Sequence, residues 1–243
     1  MVNLMIVDPQ NDFCLPGAPL EVKGAMVDIR RISKYIRDNG HDVNDIWITM
    51  DMHPFLHIAN ANFWYNKLDV QRTSEYNRIT PDMIDEIVFP AIDIPFDELK
   101  EIVSRHNGGA VMAWPPHCIM GTPGANIVDE LFEAVTDWSL ANGKNPHIVL
   151  KGMDQLKEEY SAFGVVADTN IDKLIAGDLT GEWLVGGQAM DVCVVSTVTD
   201  ICGFIPAKNI TVIGEWGSWI GTQDPKMFTD LGVNFAEGPV DGN

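Results

Sequence analysis

Short runs of near-continuous apolar residues constrain this chain more than any other feature. They occupy residues 4–7, 45–50, 147–150, 183–185, 210–213 and 233–236. Such runs suit strands of a parallel sheet covered on both faces. Between them, apolar residues recur at helical spacing over 27–38, 125–138 and 192–204, the first stretch ending at Asn39-Gly40. The alternation predicts an α/β, three-layer doubly wound fold with a mostly parallel six-stranded sheet and helices on both faces. Residues 59–110 break the rhythm. They carry Trp64 and Tyr65, a helix start at Ile79-Thr80-Pro81-Asp82, and an amphipathic stretch over 96–105. We read them as an insertion within a single 1–243 domain, packed over the rim of the sheet as a lid or a contact in a homo-oligomer.

Composition limits the partners. Against 16 basic residues stand 35 acidic ones, a formal charge of −19 that repels phosphate backbones and anionic lipid. Nucleic acid is not an expected partner, and a small neutral or cationic molecule suits this field better. No apolar run approaches the roughly 20 residues of a membrane helix. The sequence starts in a strand without a basic leader, and its four cysteines lack paired or zinc-finger spacing. A cytoplasmic protein with reduced thiols is the expectation.

In doubly wound sheets, ligands bind beyond the carboxyl ends of the strands. Asp8 closes the first run, Asp51 and His53 follow the second, and Lys151 follows the third. Cys193 comes after the fourth, in Gly186-Gly-Gln-Ala-Met-Asp-Val-Cys, where two glycines end a strand and Asp191 could cap a helix. In a first helical turn, free N–H groups and the helix dipole favour a thiolate. A cysteine of this kind is more often a small buried hydrophobe, a strand-end aspartate more often a turn former, and a lysine more often solvated. Their coincidence at successive strand ends favours chemistry. Backbone N–H groups of Ala189 and Cys193 would serve as an oxyanion hole if the turn is tight. Asp51-Met-His53 and the proline-stiffened Trp114-Pro-Pro-His117 offer one carboxylate and two histidines, a set that leaves positions open on Zn²⁺, Fe²⁺ or Mn²⁺. His57 is near enough in sequence to be a fourth ligand or to support the others. His41, His106 and His147 receive no role.

At these residues the chain resembles the isochorismatase-like cysteine hydrolases, and among them the nicotinamidases. Ile6-Val-Asp-Pro-Gln-Asn-Asp-Phe13 is similar to the family's first-strand motif, which places a catalytic aspartate on Asp8 and a substrate-contacting aromatic on Phe13. Asp51-Met-His-Pro-Phe-Leu-His57 resembles D-W-H-P-x-x-H, and Trp114-Pro-Pro-His-Cys-Ile-Met-Gly-Thr-Pro-Gly-Ala125 resembles W-P-x-H-C-x-x-G-T-x-G-A. The resemblance puts metal on Asp51, His53 and His117. It puts the catalytic lysine on Lys151, followed at the expected distance by Tyr160-Ser-Ala-Phe163, and the nucleophile on Cys193, with a cis peptide before Ala189. Met52, Gln188, Val192 and Ile58-Ala-Asn depart from the family pattern, as does the length of the insertion, without removing a catalytic or ligand residue.

The resemblance implies a metal-containing cysteine amidohydrolase that acts on a small carboxamide, most simply nicotinamide, through a thioester. The metal, zinc before iron or manganese, would anchor the pyridine nitrogen. The alternatives are another small amide or ureide hydrolase, a non-catalytic metabolite-binding relative, and a metal-only hydrolase in which Cys193 is structural.

Overall fold

The computed structural model describes residues 1–163 and 179–238. Numbered in chain order, six strands form the main sheet: β1 (Val2–Val7), β2 (Val43–Asp51), β7 (His147–Lys151), β8 (Glu182–Gly187), β9 (Ile210–Ile213) and β10 (Asn234–Ala236). Their order is β10-β9-β8-β1-β2-β7, and β1 pairs in parallel with both β2 and β8. The expected doubly wound α/β fold, a six-stranded sheet with helices on both faces, is the one observed. Side chains of a strand alternate between faces. Met5, Val7, Trp47, Val149, Trp183 and Val185 share a core with Val194, Val198, Ile201 and Phe228. The alternating Leu4, Ile6, Ile46 and Ile48 are buried as completely. Burial on both faces explains why these strands read as continuous apolar runs.

The chain divides into two compact units. The first comprises Met1–Met50, Asn126–Lys151 and Glu159–Asn243; the second comprises Asp51–Ala125 and Gly152–Glu158. Helices α1 (Asn11–Cys14), α2 (Ala25–Asn39) and α4 (Asp129–Asn142) lie in the first unit. So do α5 (Val195–Ile201) and α6 (Lys226–Thr229). α2 buries Ile29, Ile32 and Ile36 on one stripe and ends at Gly40, as its pattern predicts. α4 starts four residues later than its apolar spacing suggests. Pro123–Ala125 forms a separate 3₁₀ turn, and the Asn126 carbonyl accepts a hydrogen bond from the Asn11 N–H instead of continuing a helix.

The second unit contains short antiparallel pairs, β3 (Trp64–Asn66) with β5 (Val88–Pro90) and β4 (Asn77–Ile79) with β6 (Val111–Ala113), and one helix, α3 (Phe96–Arg105). Residues 59–110 fall inside it. Their apolar groups bury against one another: Phe63, Trp64, Ile79, Ile84 and Val88 pack with Leu99 and Val103 of α3. Trp64 is fully buried, and its indole N–H donates to the Ile58 carbonyl at 2.7 Å. The helix start at Pro81 yields only a 3₁₀ turn, Pro81–Met83. Among the described residues, no helix is long and apolar enough to cross a membrane.

Candidate active site

Two clusters of ionisable residues stand out, one in each unit. In the first, β1 delivers Asp8, β7 delivers Lys151, and the turn after β8 delivers Cys193. Lys151 Nζ lies 2.9 Å from Asp8 Oδ2 and 3.7 Å from Cys193 Sγ, so one ammonium touches both the carboxylate and the sulfur. Asp8 and Lys151 are at most 1 % exposed, and Cys193 is 6 % exposed. A buried charge is tolerable only when paired and hydrogen-bonded. Thr49 completes that requirement: its hydroxyl donates to Asp8 Oδ1 at 2.6 Å and accepts the Asp8 N–H at 3.1 Å. Sequence reasoning missed Thr49, although a hydroxyl inside a buried strand of Ile and Trp signals a partner. The register Val7↔Thr49 places it beside the end of β1.

The turn carrying Cys193 depends on a missing side chain. Gly187 sits at φ +132°, and a Cβ there would lie 2.0 Å from the Val7 carbonyl oxygen. Only glycine lets β8 end this close to β1. Gln188 N–H then donates to the same carbonyl at 2.8 Å. The Gln188–Ala189 peptide is cis, as the family resemblance implies. Cys193 lies in a π-helical turn, Met190–Val194, that leads into α5, where a regular first turn was expected. π-turns recur at functional sites because they present side chains a regular helix would turn away. Asp191 is not the helix cap. Ala189 holds that position, and the Asp191 carboxylate instead accepts the N–H groups of Ile220 (3.0 Å) and Gly221 (2.7 Å). α5 also stops at Ile201, short of residue 204. The N–H of Met190 is taken by the Ser218 carbonyl, and those of Val192 and Val194 by the Ala189 carbonyl. The Ala189 N–H donates to no acceptor among the described residues. Phe13 is buried in α1, five residues after Asp8.

The other thiols are poor nucleophiles. Burial pushes the Cys14 thiol far up, with help from the nearby Asp28 and Asp8 charges. Burial raises Cys202 as well, and Cys118 is wholly buried.

The second cluster joins Asp51 at the end of β2 to His53 and His117, with one ligand atom from each within 4.8 Å of the others. Backbone bonds set the tautomers. His53 Nδ1 meets the Gly152 carbonyl at 2.9 Å, and His117 Nδ1 meets the Pro115 carbonyl at 2.7 Å. Each Nδ1 therefore carries the proton, and each Nε2 presents a lone pair. Those Nε2 atoms lie 3.6 Å (His53) and 3.8 Å (His117) from Asp51 Oδ2. His53 Nε2 is buried without a hydrogen-bond partner among the described residues. Two lone pairs converging on a buried carboxylate fit a divalent cation. The His117 loop is held by the segment after β2: His53 N–H donates to the Cys118 carbonyl, and Met120 N–H to the His53 carbonyl.

Glycine is again required. Gly152 has φ +69°, and a Cβ there would lie 2.5 Å from the His53 ring. His57 is not arranged as a ligand. Its Nε2 meets the Lys157 carbonyl at 3.1 Å, its Nδ1 accepts the Ala59 N–H at 3.3 Å, and its ring stacks on His53 with centroids 4.1 Å apart. Burial holds its pKa down to about 3, so it stays neutral. His147 stacks on Trp47, and the His106 ring meets the Ile102 carbonyl and the Glu158 N–H.

The sheet order and the lysine-bridged cysteine define the class: an isochorismatase-like hydrolase fold. A structure of the yeast nicotinamidase Pnc1p superposes with a TM-score of 0.68 at 23 % identity, covering 98 % of this chain and 100 % of that one. A pyrazinamidase of Pyrococcus horikoshii in complex with zinc gives 0.60 at 21 %, covering 96 % and 97 %. In sequence, the nicotinamidase of Saccharomyces cerevisiae is 30 % identical over 81 % of this chain and 79 % of its own length. That of Acinetobacter baylyi is 31 % identical over 81 % and 72 %. No family model matches the chain. The chain belongs to the nicotinamidase family, enzymes that act on a carbon–nitrogen amide bond.

Proposed function

We propose that the protein hydrolyses nicotinamide to nicotinate and ammonia through a Cys193 thioester. The observation that carries this reading is Lys151, whose ammonium touches both Asp8 and Cys193. The Cys193 proton passes to Asp8, and Lys151 holds the resulting thiolate by charge. Sulfur attacks the amide carbonyl carbon, the C=O electron pair moves to oxygen, and the N–H groups of Ala189 and Cys193 bind that oxyanion. On collapse, Asp8 returns the proton to the departing ammonia. Water, deprotonated by Asp8, then attacks the thioester and expels the Cys193 sulfur. Phe13 would contact the substrate ring.

Asp51, His53 and His117 would hold a divalent transition metal, zinc ahead of iron or manganese. When bound it supplies a Lewis acid for a ring nitrogen. The yeast nicotinamidase of similar fold, bound to the inhibitor nicotinaldehyde, supports the ligand class. Residues 59–110 are read as an insertion in one hydrolase domain, since the yeast fold match spans nearly all of both chains. Ammonia release from nicotinamide, pyrazinamide and short carboxamides, with metal analysis, tests the proposal. Turnover of a ureide or aliphatic amide alone would keep the chemistry and overturn the substrate.

A further inference from the structure

Gln188, where the family pattern expects an apolar residue, is completely buried next to the proposed oxyanion donor. Its amide has a fixed orientation. Nε2 donates to Asp28 Oδ2 at 3.2 Å, and Oε1 accepts the Ser218 N–H at 3.3 Å. Because a carboxylate only accepts, Asp28 dictates which end of the amide faces it. The Ser218 hydroxyl donates to the same Asp28 oxygen at 2.6 Å, and the Ser218 carbonyl accepts the Met190 N–H at 2.9 Å. Asp28 comes from α2 and is 4 % exposed, with Arg31 3.7 Å from its other oxygen. The fit leaves no slack. A Cβ on Gly24 would lie 2.6 Å from the Ser218 hydroxyl, and one on Gly217 would lie 2.5 Å from the Gly187 carbonyl. Ala189 is thus gripped on both sides, by Gln188 through β1 and Asp28, and by Met190 through Ser218.

We infer that Asp28, Gln188 and Ser218 are positioning residues that aim the Ala189 N–H at the developing oxyanion. A buried carboxylate and amide are costly to keep where leucine would pack. A directional network fixes a donor more tightly than apolar packing does, and an oxyanion donor acts only when correctly aimed. The inference rests on the thioester mechanism, and its test separates the two.

The experiment compares the parent with Gln188→Leu, Asp28→Asn and the milder Ser218→Ala, each checked for melting temperature. Three quantities are read: kcat and KM for nicotinamide, the Ki of nicotinaldehyde, and the pH profile of Cys193 alkylation. The aldehyde probes the oxyanion directly, since thiolate addition forms a C–S bond and moves the carbonyl pair onto oxygen. We expect kcat to fall about ten- to a hundred-fold in Gln188→Leu and Asp28→Asn, and less in Ser218→Ala, the range of losing part of an oxyanion donor. KM should stay within about two-fold, and the aldehyde Ki should rise by the same factor as kcat falls, as for a group felt only in the transition state. The alkylation profile should not move. A lowered melting temperature with parental kcat and Ki would overturn the inference, as would a kcat loss that tracks a shifted alkylation profile. If the parent binds the aldehyde covalently but releases no ammonia from nicotinamide, the substrate reading fails, and the Ki comparison still decides the inference.

Discussion

The two ionisable clusters handle buried charge in opposite ways. The Asp8–Lys151–Cys193 group is balanced within itself: one carboxylate, one ammonium, and a sulfur within reach of the ammonium. The Asp51–His53–His117 group instead sets one carboxylate against two imidazoles. Its imidazoles have spent their protons on backbone carbonyls, which leaves a carboxylate facing two lone pairs. On the proposed mechanism, the first cluster performs proton and acyl transfer with what the chain provides. The second fits a divalent cation from solution. Acyl transfer should therefore fail when the chain is altered, and the metal function when the solution is.

The sharpest test is Cys193→Ala. Ammonia release should fall by on the order of 10⁴-fold or more, as for removal of a nucleophile, with metal content unchanged. Activity near the parent's would make the metal cluster the reaction centre and invert the comparison. Lys151→Met should follow. It removes the ammonium that faces the buried Asp8 carboxylate, which should cost about 3–5 kcal/mol of stability and slow Cys193 alkylation at neutral pH. An unchanged alkylation rate would detach the lysine from the sulfur.

Chelation, or His53→Ala, should strip about one metal ion per chain and raise KM for a pyridine carboxamide while leaving the Cys193 alkylation rate intact. Metal stoichiometry that persists in both His53→Ala and His117→Ala would remove the second cluster from the comparison. Trp64→Ala should cost about 3–5 kcal/mol, the usual range for truncating a buried aromatic, and appear as a lower melting temperature. A change in KM without one would give Trp64 a ligand role that its buried place in the second unit's own core does not suggest. The smallest effect belongs to Thr49→Val, which deletes the hydroxyl bond to Asp8. A hydrogen bond to a charged group contributes about 1.5–3 kcal/mol, so kcat should drop about ten- to a hundred-fold.

The main sheet was legible because parallel strands buried on both faces leave long apolar runs, and the polar residues that end them mark the rim. The residues that gather in the two ionisable clusters were legible for the same reason, reinforced by the family motifs. What escaped were groups whose meaning is a partner distant in sequence. Thr49 meets Asp8 across 41 positions, and Gln188 meets Asp28 across 160. Asp191 carried the signature of a helix cap, yet its carboxylate turns to the backbone at 220–221, because the π-helical turn moves the cap back to Ala189. The 59–110 stretch carries large apolar residues that need burial. Local periodicity could not reveal that much of that burial is supplied by its own short hairpins and helix.

Gly152 has a practical bearing for anyone who would retune this protein toward other amides. It follows Lys151 directly, and its carbonyl fixes the tautomer of His53. Any side chain at 152 would strike the His53 ring. A randomised library spanning 151–152 would therefore consist almost wholly of dead clones, lost either through the lysine or through the histidine. A combinatorial screen would do better to hold that dipeptide constant.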